Sequence, residues 1–136
     1  MSGRVLDAIA SQIFRSGLAH PSGFEILWHC GEPLLAGLDF YRYAFETIDR
    51  HNVERIPIQH SIQTNATLID SDWCGFFLEH RVNVGVSVDG PEWLHDRHRR
   101  TWSGRGSFRA TMRGVERLRD HGIHPGALCV ITRDHL

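Results

Sequence analysis

Short apolar runs alternate along this sequence with longer segments in which apolar residues recur at helical spacing. The runs at residues 24–28, 58–62, 82–88 and 127–131 have the length and the β-branched or aromatic content of buried strands. Strands that alternate with helices are joined by right-handed crossovers, which produce a parallel sheet. The pattern therefore predicts an α/β fold in which the carboxyl ends of all strands lie at one edge.

The segments between the strands predict helices with identifiable ends. Asp70 is a candidate N-cap, and Ser107 is expected to cap a later helix that Gly122 ends at its C′ position. Residues 90–106 are predicted to form a long loop. The glycine-rich run at residues 104–108 does not follow a strand, so it predicts a turn into a capped helix and no dinucleotide-binding loop.

Polar residues cluster where three of the predicted strands end. They are Glu32 after the first strand, Gln63, Thr64 and Asn65 after the second, and Ser87 and Asp89 on either side of the end of the third. Open α/β sheets and (β/α) barrels bind their ligands at this edge. We therefore expect Glu32, Gln63 and Ser87 to surround one shared cavity.

Each cluster can also be interpreted as a purely structural feature, such as a turn or a helix cap, that binds no ligand. Asn-rich and Gly-Pro stretches form ordinary turns, Glu32 can be a loop-start or helix-capping acid, and Asp89 can form an Asx-turn. The basic stretch at residues 94–100 can be a solvated loop, or one of its arginines can bind a ligand carboxylate bidentately. His95 and His98 lack the glutamate and the helix of a zinc-protease motif, so no metal site is predicted.

Length, charge and cysteine content limit the class of protein. The chain has 136 residues, of which 41% are hydrophobic, so it can form one domain over residues 1–136. Its net charge of −1 gives no support for a nucleic-acid or membrane partner. Cys30, Cys74 and Cys129 are odd in number and widely spaced. This spacing favours a reducing cytoplasm and argues against a disulfide framework.

Four motifs taken together resemble a known enzyme family. They are ILWHCGEPLLAGLDFYR, SIQTNATLID with the DWC that follows, VGVSVDGPEWLHDRHR, and GRGSFRATMRGVERLRDHGI. In this order they resemble the radical SAM/SPASM peptide and protein maturases. That group includes the anaerobic sulfatase-maturating enzymes and, with a closer likeness, the cyclophane-forming FxsB-type maturases. The resemblance runs from about Phe24 to Thr132.

The resemblance implies a fold, a cofactor and a reaction. The family has a partial (β/α)6 barrel, and this chain would form about four of its βα units. A 4Fe-4S cluster binds S-adenosylmethionine (AdoMet) and cleaves it to a 5′-deoxyadenosyl radical. The radical abstracts hydrogen from a side chain of a peptide or protein substrate.

The resemblance also implies roles for individual residues. The cofactor-binding residues would be Gly31, Glu32, Gln63, Thr64, Asn65, Ser87 and Arg99. Gly31 and Glu32 would contact the amino end of the methionine portion. Ser87 and Arg99 would contact the ribose or carboxylate portion. Asp89 is the candidate catalytic residue, for polar or proton chemistry on the substrate side.

The chain departs from the family pattern at the cluster. The family's C-x3-C-x2-C loop precedes the Gly-Glu-Pro strand and is absent here, and Cys30, Cys74 and Cys129 are too scattered to replace it. Cys30 and Ala66 stand where the family has glycine. We therefore expect a radical SAM fragment that is inactive alone and that meets a complementing chain, or itself, through open sheet edges. The alternative is a non-catalytic α/β module that binds a peptide or a partner subunit.

Overall fold

A computed structural model describes residues 1–133. Helices and strands alternate along nearly all of that range. The elements are α1 Gly3–Arg15, β1 Phe24–Trp28, α2 Leu38–His51, β2 Ile58–Thr64, α3 Ser71–Glu79, β3 Asn83–Ser87, α4 Glu92–His98, α5 Phe108–Asp120 and β4 Gly126–Leu128, with a 3-10 turn at Pro33–Ala36. None of the helices described is long and apolar enough to cross a membrane.

The four strands form one sheet in the order β1-β2-β3-β4, and every pairing is parallel. The register pairs Trp28 with Ile62 and Thr64 with Val86, so the strands end nearly side by side. The predicted parallel α/β sheet is confirmed. The loops after β1, β2 and β3 all leave from its carboxyl edge.

The two faces of the sheet have different surroundings. Ile62, Val84 and Val86 are buried in the hydrophobic core, which includes large side chains of α2, α3 and α5. Successive residues of a strand point to opposite faces. Gln63 and Gly85 accordingly line an open cavity of about 660 Å³ on the other side, the inner face of the sheet.

Two predicted helix ends are confirmed. The carboxylate of Asp70 accepts a hydrogen bond from the backbone N–H of Trp73 at 2.9 Å, as expected of an N-cap. Gly122 follows α5 with a φ of 75°, a conformation in which glycine carries little strain.

The predicted loop at residues 90–106 is wrong in part, because α4 lies within it. Leu94 is the one apolar residue of α4 that is buried, and the other buried side chain is the imidazole of His95. A helix that buries a polar ring has no stripe of apolar residues along one face. The search for hydrophobic periodicity therefore did not detect α4.

The predicted strand bounds also need correction. β2 runs to Thr64, so Gln63 and Thr64 belong to the strand and do not follow it. β4 is shorter than the predicted 127–131, because the backbone N–H of Val130 donates to the Asp89 carboxylate.

The cap of α5 differs from the prediction. Ser107 occupies the N-cap position but makes no capping hydrogen bond with its side chain. Asp96 supplies the cap, since its Oδ1 accepts from the backbone N–H of Phe108 at 2.8 Å. A Cβ on Gly106 would overlap the same carboxylate. The glycine-rich run therefore makes room for Asp96 at the start of the helix.

His60 is a buried histidine on β2, outside the carboxyl edge. Its ring stacks on Phe45 with centroids 3.9 Å apart, and its Nδ1 accepts a hydrogen bond from the indole N–H of Trp28 at 3.2 Å. Burial, and secondarily the charge of His80, lowers the pKa of His60 to about 4. The folded protein therefore holds this ring neutral where an unfolded chain would protonate it.

We expect the stability of the protein to fall as the pH drops from about 6.5 towards 4. The unfolded state binds a proton at His60 in this range and the native state does not, which costs about 3 kcal/mol. Urea unfolding across the pH range measures the loss. His60→Gln should flatten the curve, whereas His124→Gln, at an exposed histidine, should not. Equal slopes for the wild type and His60→Gln would contradict the prediction.

Candidate functional site at the carboxyl edge of the sheet

The carboxylate of Glu32 joins the loop after β1 to the loop after β2. Its Oε1 accepts hydrogen bonds from the Thr64 hydroxyl at 2.6 Å and from the backbone N–H of Leu34 at 3.0 Å. Its Oε2 accepts from the backbone N–H of Asn65 at 2.8 Å. A carboxylate offers about four acceptor positions, so one position remains for a ligand.

The loop after β2 is held from a second side by α5. The Thr111 hydroxyl donates to the carbonyl oxygen of Asn65 at 2.9 Å. Gly114 lies so close to this loop that a Cβ on it would overlap the carbonyl oxygen of Ala66. Ala66 itself has a φ of 61°, which is consistent with the glycine that the resemblance places there. Glu32 and α5 together fix the backbone of Asn65.

The loop after β1 leaves an open backbone at Gly31. Gly31 has a φ of 60°, and no heavy atom lies within 4 Å of the place where its Cβ would be. The preceding Cys30 has a φ of 81°, which costs a non-glycine residue roughly 1 kcal/mol of strain. The open space at Gly31 leaves its peptide groups accessible to a ligand.

Gln63 and Ser87 meet on the inner face of the sheet. The amide nitrogen of Gln63 donates to the Ser87 hydroxyl at 3.0 Å, across β2 and β3. Gly85 lies opposite Gln63 in the register, and a Cβ there would overlap the Gln63 amide oxygen. Sequence reasoning missed Gly85, although a glycine between two strand valines indicates close approach of another group.

Asp89, which is buried, and Arg99, which is partly exposed, form a bidentate ion pair. Arg99 Nε lies 2.6 Å from Asp89 Oδ2, and Arg99 Nη2 lies 3.1 Å from Oδ1. Burial alone would raise the pKa of Asp89, but hydrogen bonds from Arg99 and from the backbone of Val130 outweigh it and lower the pKa. Asp89 therefore stays ionised. This favours a role in holding Arg99 over the predicted proton chemistry.

His95 and Ser107 complete a ring of contacts around this ion pair. The fully buried His95 accepts the backbone N–H of Asp89 at Nδ1, 3.3 Å away, so its proton is on Nε2. That nitrogen lies 3.0 Å from the Ser107 hydroxyl, which donates to the carbonyl oxygen of Arg99 at 3.0 Å. Burial, then the charge of Arg99, lowers the pKa of His95. Sequence reasoning did not place either residue at this site, because His95 was in a predicted loop and Ser107 was predicted only as a helix cap.

The predicted residues share one edge but not one cavity. Glu32, Asn65 and Arg99 line a groove of about 580 Å³, whereas Gln63 lines the inner-face cavity. The expectation that Glu32, Gln63 and Ser87 surround one cavity is therefore wrong. The strand pleat explains the separation, because Gln63 points inward and the next residue, Thr64, points outward to Glu32. Thr64 is buried and lines neither cavity.

The described residues offer no metal centre. No group of three or more histidine, cysteine or acidic side chains within residues 1–133 is placed to hold an ion. Cys30 is exposed after β1, Cys74 is buried on α3 and Cys129 is exposed after β4. These three cysteines do not form a set of cluster ligands.

A comparison with models of protein families identifies the family to which this chain belongs. The model of the radical SAM superfamily matches residues 6–133. The chain belongs to the radical SAM superfamily. Its radical SAM domain spans all four strands and every predicted site residue. An expected membership in this superfamily, and homology to the anaerobic sulfatase-maturating enzymes, are thereby confirmed.

Several curated relatives are longer than this radical SAM chain. An uncharacterized protein of Synechocystis sp. is 44% identical over 136 residues, which is 97% of this chain and 34% of that protein. The serine-type anaerobic sulfatase-maturating enzyme of Klebsiella aerogenes is 39% identical over 132 residues, 94% of this chain and 33% of that enzyme. The chain thus spans about a third of the length of these relatives.

A solved structure of native anSMEcpe with bound AdoMet has the same fold. The two superpose with a TM-score of 0.90 at 32% identity, over 98% of this chain and 36% of that one. The predicted fold, a partial radical SAM (β/α) core, is confirmed. A second structure of anSMEcpe, with AdoMet and the Cp18Cys peptide bound, superposes with a TM-score of 0.89.

Proposed function

We propose that this chain forms the AdoMet-binding part of a radical SAM enzyme that modifies side chains of a peptide or protein. The observation that carries the proposal is the polar arrangement on the inner face, where Gly85 makes room for the Gln63–Ser87 pair. The radical SAM family and an AdoMet-bound relative of the same fold support it. Relatives that mature sulfatases, and one with a bound peptide, support a peptide or protein substrate.

The residues at the edge fit the polar groups of AdoMet. Arg99 uses Nε and Nη2 for Asp89, so Nη1 can donate to the carboxylate of a ligand. The Gln63 amide and the Ser87 hydroxyl suit ribose hydroxyls, which both donate and accept. Because these two residues lie on the inner face, AdoMet would cross the carboxyl edge from the groove lined by Glu32 and Arg99 to reach them. Glu32 has one acceptor position left for an ammonium group, next to the open backbone of Gly31. On one-electron reduction by a donor outside residues 1–133, bound AdoMet would supply the 5′-deoxyadenosyl radical that begins the modification.

The described residues do not fit a 4Fe-4S cluster, and we derive no step through one. We propose that cluster ligands come from outside residues 1–133 and that the chain is inactive alone. Anaerobic reconstitution with iron and sulfide should give no stable cluster and no cleavage of AdoMet. Cleaved AdoMet above background would overturn this part of the proposal.

We also propose the finer assignments made from the motifs. They are a single domain over residues 1–136, a cytoplasmic setting, and membership of the FxsB-type branch that carries a SPASM domain. β1 and β4 are the outer strands of the sheet, and Leu27 and Leu128 are about half exposed on them. This arrangement supports a complementing chain or self-association along these edges.

AdoMet binding by the purified chain, measured by calorimetry, tests the proposal. We expect saturable binding that Gly85→Ala weakens at least about tenfold, because the added Cβ displaces the flexible end of Gln63. Its melting temperature should hardly change, since no backbone has to move. Gly75→Ala is the control, because a Cβ there meets no atom within 4 Å and Gly75 lies outside the lining of this cavity.

Equal affinity for the wild type and Gly85→Ala would contradict the assignment of the inner face. No binding by the wild type would favour the alternative, a non-catalytic module that binds a peptide or a partner subunit.

A further inference from the structure

We propose that the groove at the carboxyl edge docks an extended peptide segment in which an apolar side chain lies beside aspartate or glutamate. This inference rests on the proposed peptide-modifying function and names its substrate class. The groove, called here the Trp102 groove, has a volume of about 580 Å³ and lies between the loops that follow β1, β2 and α4. Its lining includes Leu35, Leu68, Arg100 and Trp102.

Three apolar side chains in the lining of the groove are exposed to solvent. Trp102 is fully exposed, Leu35 is 74% exposed and Leu68 is 40% exposed. Single exposed apolar residues are common on protein surfaces, but three around one concavity mark a place where apolar surface can be covered. Tryptophan contributes most to such contacts, since it is large and loses little conformational entropy on binding.

The loop that presents Trp102 is held by its own hydrogen bonds. The backbone N–H of Thr101 donates to the carbonyl of Arg105 at 2.8 Å, and the N–H of Gly104 donates to the carbonyl of Thr101 at 2.8 Å. A β-bridge between Arg100 and Gly106 closes the base of the loop. Binding to such a loop costs little additional ordering.

The charge on the loop that presents Trp102 favours an acidic partner. Arg100, in the groove lining, and Arg105, on the same loop outside the lining, lie on either side of Trp102 in the sequence. Arg99 is paired with Asp89, but Arg100 Nε donates to a backbone carbonyl and Arg105 Nε to the Ser103 hydroxyl, which leaves both charges uncompensated by these contacts. The Glu32 carboxylate also lines the groove, but its remaining acceptor position is assigned above to the ammonium group of AdoMet, which would offset its charge. Complementary charge then favours a carboxylate on the partner.

The position of the groove connects it to the proposed chemistry. Asn65 and Arg99 line the groove and also belong to the predicted cofactor site. A peptide held along the Trp102 groove would therefore lie next to that site. Nucleic acid is the other partner that a basic and aromatic loop can bind, but the chain as a whole has a net charge of −1.

Fluorescence anisotropy with the full 136-residue chain tests the proposal. The probe is a fluorescein-labelled peptide with a central Asp-Phe-Asp, compared with peptides carrying Lys-Phe-Lys or Asp-Ala-Asp at the same place. We expect each replacement to weaken binding at least about tenfold. A labelled oligothymidine of similar length should bind more weakly than the acidic peptide; tighter binding of the oligothymidine would overturn the proposal.

Matched variants locate the binding. Trp102→Ala should weaken binding of the acidic peptide about tenfold, and Trp93→Ala, at a 67% exposed tryptophan outside the groove lining, should not. Arg100→Glu should weaken it more than Arg113→Glu, at an exposed arginine of α5. Melting temperatures of the variants should match the wild type.

Equal effects of the groove and control variants would overturn the proposal. AdoMet affinity is measured on the same protein. If AdoMet binds and the acidic peptide does not, only the docking surface is wrong. If neither binds, the proposed function is wrong as well.

Discussion

Replacing Glu32 by glutamine should lower the free energy of unfolding by about 2–3 kcal/mol. The carboxylate accepts hydrogen bonds from Thr64, Asn65 and Leu34, and all three partners are donors. A glutamine amide keeps the shape but turns one acceptor into an NH2 group, which then faces a donor. Hydrogen bonds to a charged group are each worth about 1.5–3 kcal/mol, so the loss should be easy to measure by urea unfolding.

Glu92→Gln is the matched control for this change. Glu92 pairs with Arg109 at 2.7 Å on the surface, and Arg109 is 80% exposed, so the pair should contribute less than about 1 kcal/mol. We also expect Glu32→Gln to weaken AdoMet binding, because the loop carrying Gly31 is no longer tied to Asn65. If Glu32→Gln and Glu92→Gln have the same small effect, Glu32 does not hold the two loops together.

Replacing Gly114 by alanine should destabilise the protein by about 3 kcal/mol. A Cβ at this position of α5 would overlap the carbonyl oxygen of Ala66, so a helix or a loop must move. Since the displaced atom belongs to the backbone, the change cannot be absorbed by rotation of a side chain. The displaced loop includes Asn65, and AdoMet affinity should fall together with stability.

Gly75 provides a control of the same chemistry. It is an exposed residue within α3, and no heavy atom lies within 4 Å of the place of its Cβ. Gly75→Ala should therefore stabilise the protein by about 0.5–1 kcal/mol, as expected of glycine replacement inside a helix. Thermal or urea unfolding of both variants gives the comparison. A stabilising Gly114→Ala would contradict the close approach of α5 to the loop.

The sequence allowed the parallel sheet and its ligand-binding edge to be predicted. Apolar runs and helical stripes indicate which face of each strand or helix is buried. The right-handed crossovers between parallel strands then place the carboxyl ends of all strands at one edge of the sheet. Glu32, Gln63 and Ser87 were found in this way. Which of them share a cavity depends on the pleat at the end of β2, and an error of two residues in that strand end placed Gln63 and Thr64 in a loop.

Sequence reasoning could not find the residues that act through packing. His95 is a polar residue in the interior, so it interrupts the pattern that marks a helix. Gly85 and Gly114 lack a side chain where atoms from distant parts of the sequence come too close for a Cβ. Their neighbours lie across a strand pair or on another element, and only the tertiary structure shows the contacts.

Amide chemical shifts of the isotopically labelled chain during titration with AdoMet test most directly whether the carboxyl edge is the cofactor site. We expect saturable shifts at Gly31, Gln63 and Ser87, with little change at Phe24 and Ile58, which begin β1 and β2 at the opposite ends of these strands. Saturable shifts confined to the Phe24 and Ile58 end, or no shifts at any AdoMet concentration, would contradict this placement.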